Sequence, residues 1–125
     1  MQNFPLVSVI CLSYNHEAYV VEALNSVINQ TYSNIELLIA DDCSSDHSVG
    51  VIQDWLQHHP NVYFLANEKN LGNTKTFNQL AKKAKGEFII DLAADDVLLP
   101  NCIEKQVTIF QNSKYENLGI VYGNL

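Results

Sequence analysis

Ile35, Leu37, Leu38, Ile39 and Ala40 are apolar on nearly every successive position, and the run ends in Asp41 and Asp42. Successive residues of a strand point to opposite faces, so a strand apolar throughout must be buried on both. A parallel sheet covered by helices on both sides meets that condition. Residues 87–92 repeat the design, with Phe88, Ile89, Ile90 and Leu92 running into Ala93, Ala94, Asp95 and Asp96. Ligands of open parallel sheets bind beyond the carboxyl ends of the strands, where the strand order reverses. Two apolar strands are therefore expected to deliver an acidic pair each to one edge.

The rest of the chain alternates in period. Strands are expected over residues 7–12, 35–40, 61–65, 87–92 and 119–123, with helical spacing between them. Val20, Ala23, Leu24, Val27 and Ile28 share one face of a helix running from Glu17 to about Gln30. Val49, Ile52, Trp55 and Leu56 share a second, with Ser44, Ser45, Asp46 and Ser48 as cap candidates and Pro60 closing it. Phe77, Leu80, Ala81 and Ala84 define a third, with Gly86 at its end. Pro100 suits the first turn of a fourth, carrying Ile103, Val107 and Phe110. Short connections between alternating strands and helices specify an α/β, Rossmann-like αβα sandwich with a mostly parallel sheet. A strand at the very end suggests a chain cut from something longer.

Composition narrows the functions. The chain has 125 residues, 47% of them hydrophobic, enough for one domain and a real core. A net charge of −7 without a single arginine argues against a nucleic-acid partner. No run is long enough to span a membrane, and the first residues lack the order of a signal peptide. Cys11, Cys43 and Cys102, an odd number without CxxC spacing, suggest free thiols in a reducing cytoplasm.

If the first and fourth strands are neighbours, Ser13, Tyr14, Asn15, Asp42, Asp95 and Asp96 converge on one cleft. Carboxylates gathered there repel unless a cation or donors compensate. A divalent metal with oxygen ligands does so and can bridge to phosphates. Asp96 is the metal candidate, Asp95 shares the metal or bonds a ribose hydroxyl, and Asp42 can accept from a base N–H. Lys75, beside the loop Asn70-Leu71-Gly72-Asn73, is the candidate phosphate partner at a helix N-terminus. Taken singly, Asp41, Asp46 and Asp91 read as ordinary capping or solvated carboxylates. His16 reads as an exposed loop residue, Cys43 as filler, and Trp55 and Phe77 as core.

Several stretches in order resemble family 2 glycosyltransferases of the GT-A fold. They are residues 7–15, Asn29-Gln30-Thr31-Tyr32, residues 36–46, Asn70-Leu71-Gly72, Asn78, residues 84–89, Ala94-Asp95-Asp96 and Leu99-Pro100. The resemblance implies that residues 1–125 are the N-terminal nucleotide-sugar-binding part of such an enzyme. It implies sugar transfer from a nucleotide-diphosphate sugar, a UDP-sugar first, with inversion and with Mn²⁺ or Mg²⁺. It assigns Asp42 to the base, Asp95 and Asp96 to ribose and metal, and Ser13 and its neighbours to the border of base and ribose. A glycan or lipid-linked acceptor in surface polysaccharide synthesis follows, at the cytoplasmic side or peripherally at the inner membrane face.

Three departures stand out. Ala93 stands where many members carry an Asp, Cys43 where many carry Gly or Asn, and neither Glu104 nor Glu116 looks like the family's general base. That base is expected beyond Leu125, leaving this chain a weak donor binder that self-associates through the face its missing half should cover. A non-catalytic nucleotide-binding or assembly module is the alternative. A receiver domain fits poorly, since its acidic pair should follow the first strand and a lysine the fifth.

Overall fold

The computed structural model describes residues 4–111 and 120–122. Strands β1 (Val7–Ser13), β2 (Ile35–Asp41), β3 (Tyr63–Ala66), β4 (Phe88–Ala93) and β5 (Ile120–Tyr122) alternate with helices α1 (Val20–Ile28), α2 (Ser48–Leu56), α3 (Asn73–Ala81) and α4 (Cys102–Gln111). The sheet order is β3-β2-β1-β4-β5 and every pairing is parallel. The order reverses between β1 and β4, so the expected neighbours are neighbours. Of the fifth expected strand, Gly119 and Gly123 lie outside the described residues, as do Glu116 and Leu125.

The two sheet faces are covered unequally. On one, Val7, Val9, Cys11, Leu37, Ile39, Ile90 and Leu92 pack against residues of α1, α2 and α4 such as Leu24, Ile52 and Ile103. On the other, Ile10, Leu38 and Ala40 meet Leu80, Phe77 and Ala81 of α3 alone. Burying one such aliphatic side chain contributes about 1.5–3 kcal/mol, so the three-helix face carries most of the stability. The α3 face is left partly open beyond the helix, toward the carboxyl ends of β1 and β4.

Three expectations shift. Helix α1 begins at Val20, because residues 16–19 form a turn in which Tyr19 and Val20 donate to the His16 carbonyl, and Ile28 is exposed. Pro100 precedes α4 instead of opening it. Helix α3 stops at Ala81, so Gly86 does not end it. Its lack of a side chain answers a close approach: a Cβ there would stand 2.5 Å from Ser8 Oγ, 2.7 Å from Ser8 N and 2.8 Å from Leu6 O. Gly86 N donates to Ser8 Oγ at 2.9 Å, and Ser8 Oγ donates to Glu36 at 2.6 Å. This network ties the amino ends of β1, β2 and β4 together and sets the register that aligns their other ends.

Candidate functional site

The register brings Ser13 beside Asp41 and Leu12 beside Ala93. Beyond the last paired residues the chains stay joined, Asp42 N donating to Ser13 O at 2.9 Å and Ala94 N to Leu12 O at 3.0 Å. A cleft of about 630 Å³ opens there, within the usual range for small-molecule sites. Leu12, Tyr14 and His16 line it from β1 and its loop, Asp91, Ala93 and Asp96 from β4, and Asn73, Thr74, Phe77 and Asn78 from α3.

Of the residues expected to converge, Tyr14 and Asp96 line this cleft. Asp95 adjoins it, with its carboxylate 3.8 Å from His16 Nε2. Ser13 lies below, 1% exposed, and its hydroxyl is buried without a hydrogen-bond partner among the described residues. Asn15 has a positive φ of 56°, tolerable for Asn. Its side-chain oxygen accepts from Ser45 N at 2.8 Å and Asp46 N at 3.3 Å, and its own N–H donates to Ser44 Oγ at 2.8 Å. It therefore stitches the β1 and β2 loops together instead of facing the cleft.

Asp42 also differs from its expected placement. It is 4% exposed and does not line the cleft. Its Oδ1 accepts from Leu71 N at 2.8 Å and Asn67 Nδ2 at 3.0 Å, and its Oδ2 accepts from Gly72 N at 2.9 Å. Burial pushes its pKa up, but these donors outweigh burial and hold the carboxyl below its ordinary value. The donor group it meets is the 67–72 loop. Gly72, at φ 89°, turns that loop into α3. Lys75 is exposed on α3 outside the cleft lining, so the phosphate contact expected of it finds no support in this placement. Asp41 and Asp46 are local, as expected: Asp41 accepts from Ser44 N, and Asp46 from Ser48 N at 2.9 Å.

The placement of four residues was not visible from sequence. His16 accepts from Tyr14 N at its Nδ1, 3.3 Å away, and its Nε2 faces Asp95. Gln30 donates to Leu99 O at 2.6 Å and accepts from Ile103 N at 3.0 Å, latching the loop behind Asp96 onto α1. Ser26 does the same through Leu98 N at 3.0 Å. Asp91 lines the cleft and is half-buried, where a carboxylate of a solvated loop or cap was expected. Its only sequence signal was a lone charge within an apolar strand. Cys43 has φ 64°, which explains the preference for Gly or Asn at that point. Burial pushes the Cys11 thiol up to about 12 and raises that of Cys102, so neither is a nucleophile.

No group of three or more His, Cys, Asp or Glu able to hold a metal occurs among the described residues. Asp95 and Asp96 nevertheless offer hard oxygen ligands, and a Mg²⁺-type ion takes one or two carboxylates and completes its shell with phosphates and water. The donor set fits such an ion. No helix among the described residues is long and apolar enough to cross a membrane.

The profile of Glycosyl transferase family 2 matches residues 8–123. A Haemophilus influenzae protein named as an uncharacterized glycosyltransferase is 34% identical over 92% of this chain and 36% of its own length. The Escherichia coli UDP-Glc:alpha-D-GlcNAc-diphosphoundecaprenol beta-1,3-glucosyltransferase WfgD is 35% identical over 95% of this chain and 45% of its own. The chain thus spans less than half the length of either relative. Among solved structures, S. aureus TarS 1–349 in complex with UDP-GlcNAc superposes with a TM-score of 0.76 at 28% identity, covering 85% of this chain and 31% of that one. A mannosyltransferase from Pyrobaculum calidifontis, in complex with GDP-Man and Mn²⁺, gives 0.76 at 22% identity over 90% and 34%, a likeness of fold. With the GT-A fold, the strand-end carboxylates and these matches together, the chain belongs to glycosyl transferase family 2.

Proposed function

We propose that residues 1–125 form the nucleotide-sugar-binding part of a glycosyltransferase that moves a sugar from a nucleotide-diphosphate sugar to an acceptor hydroxyl, with inversion. The observation that carries this reading is the cleft at the strand reversal, lined by Tyr14 and Asp96 in a family 2 chain. TarS, similar over most of this chain, has been solved with UDP and with UDP-GlcNAc, which favours a UDP-sugar.

The cleft lining holds the carboxylates of Asp91 and Asp96 and no lysine. A diphosphate brought there is repelled unless a cation comes with it. Asp96 and Asp95 would hold Mn²⁺ or Mg²⁺, which would supply charge stabilisation to a leaving diphosphate. Tyr14, 45% exposed, offers its ring to base or ribose. Ser13 borders the base and ribose from below, at the end of β1. Asn15 holds the β1 and β2 loops in place around it. Asp42 serves the base side by fixing the 67–72 loop. The acceptor is a glycan or lipid-linked glycan of surface polysaccharide synthesis, in keeping with the WfgD name, and is met at the cytoplasmic side of the membrane. Self-association through exposed apolar groups such as Leu99 and Ile109 belongs to the same reading. A non-catalytic donor-binding module is the second reading, favoured by Ala93 where many family members carry an Asp.

Calorimetric titration with UDP, with and without Mn²⁺, tests the proposal. Metal-dependent binding that disappears in Asp96→Ala supports it. Absence of binding by UDP, GDP and dTDP in folded protein contradicts it, and Mn²⁺-dependent binding without any hydrolysis or transfer favours the second reading.

A further inference from the structure

Asp91 is a carboxylate of the cleft lining to which no hydrogen bond or ion pair is made among the described residues. Its position in β4 pairs with Ile10 of β1, and the pleat puts it on the sheet face of Ile89 and Ala93, under α3. Leu12 and Phe77 line the cleft with it. Burial raises its pKa, and no charge or hydrogen bond among the described residues opposes that. Leucine or valine would sit at such a strand position without penalty, whereas a half-buried, unpaired carboxyl costs stability. Departures of this kind concentrate where a ligand supplies the missing partner.

The surroundings say which ligand group fits. Ala93 lies two residues nearer the strand end on the same face, about 6.6 Å on, and presents only a methyl. The way down to Asp91 is therefore not closed by a larger side chain there. Asn73, Thr74, Phe77 and Asn78 line the cleft from α3. A carboxyl, two amides and an aromatic ring suit a hydroxylated ring, whose O–H groups need acceptors and whose C–H face needs an apolar wall.

We propose that Asp91 is a specificity-determining residue of the donor site, accepting a ring hydroxyl of a nucleotide sugar that enters between β4 and α3 past Ala93. This rests on the nucleotide-sugar reading above. The hydroxyl belongs either to the ribose or to the transferred sugar, two sources of the same chemistry. Both put a neutral O–H donor against Asp91, which suits a carboxyl without a cation beside it among the described residues.

The test compares wild type, Asp91→Leu and Asp91→Asn by thermal unfolding and by calorimetry with UDP, UDP-glucose and UDP-N-acetylglucosamine, all with Mn²⁺. A residue kept for a ligand at the fold's expense predicts a higher unfolding midpoint in Asp91→Leu together with about tenfold or greater loss of binding. Asp91→Asn, isosteric and still an acceptor, keeps more of the affinity. Equal loss for UDP and both sugars identifies the ribose, and loss confined to UDP-sugars identifies the transferred sugar. Unchanged affinity in both variants overturns the proposal, and so does a lower midpoint in Asp91→Leu, which would make Asp91 a structural residue. Wild-type binding abolished by Asp96→Ala but untouched at Asp91 defeats this inference alone. Wild type that binds none of the three ligands defeats the donor-site reading with it.

Discussion

Asp42→Asn should be among the most damaging isosteric changes in this chain. Both carboxylate oxygens accept from the 67–72 loop: Oδ1 from Leu71 N and Asn67 Nδ2, Oδ2 from Gly72 N. An asparagine has one acceptor end and one donor end, so either orientation sets an NH₂ against a backbone N–H. One charge-assisted bond, worth about 1.5–3 kcal/mol, is lost, and a backbone donor is stranded beside it. Partial exposure of Leu71 and Gly72 lets water recover some of this. The net expected cost is about 2–4 kcal/mol, a shift of about 1–3 M in the urea midpoint for a protein of this size. The pH dependence has a definite sign. Asp42 has a lowered folded pKa, so its contribution is complete above the unfolded value of about 3.9. It is lost as pH falls below that value and through the folded one. The gap between wild type and variant in urea unfolding should be full at pH 7 and should shrink in the acid limb. A variant within about 0.5 kcal/mol of wild type at pH 7, or a gap independent of pH down to acid unfolding, would refute the account of Asp42 as the anchor of this loop.

Gly86→Ala should destabilise by about 1–3 kcal/mol, the scale of overpacking, because two of the three atoms its Cβ meets are backbone; chemical denaturation measures it. Gln30→Ala removes the bonds to Leu99 and Ile103 and should cost about 1–2 kcal/mol, with weaker Mn²⁺-dependent UDP binding, since the loop behind Asp96 is released. At Cys43, with φ 64°, the expected order of thermal stability is Gly at least equal to Cys and Val lower by about 1–2 kcal/mol, because a β-branched residue resists that conformation.

The sheet was legible because β2 and β4 are apolar on both faces for most of their length, a pattern that burial on both faces explains. Their acidic ends followed from the same pattern, and the parallel order of β2, β1 and β4 puts both ends on the same edge of the sheet. What stayed hidden depends on contacts far apart in sequence. Gly86 reads as a helix end until Ser8, 78 residues away, is found against it. Gln30 reads as the tail of a helix until Leu99, 69 residues on, accepts a hydrogen bond from its amide. Asp42 and Asp96 are both second residues of an acidic pair after an apolar strand, yet one is buried in a loop and the other lines the cleft. The difference lies in α3 and the loop before it, which fold back over the end of β2 and leave β4 open. His16 was undervalued because a loop histidine carries no periodic signal, and its orientation depends on the Tyr14 N–H.

The central claim, that the cleft between β1, β4 and α3 takes a nucleotide with a divalent ion, is tested most directly by paramagnetic broadening. Amide spectra of the ¹⁵N-labelled chain are recorded with UDP and Mg²⁺, then with Mn²⁺ replacing a small fraction of the Mg²⁺. Broadening is expected to concentrate at Tyr14, Asp95, Asp96 and Asn73–Asn78, with Tyr63–Ala66 on the far strand β3 spared. Broadening centred elsewhere, or uniform broadening that UDP does not localise, would contradict it.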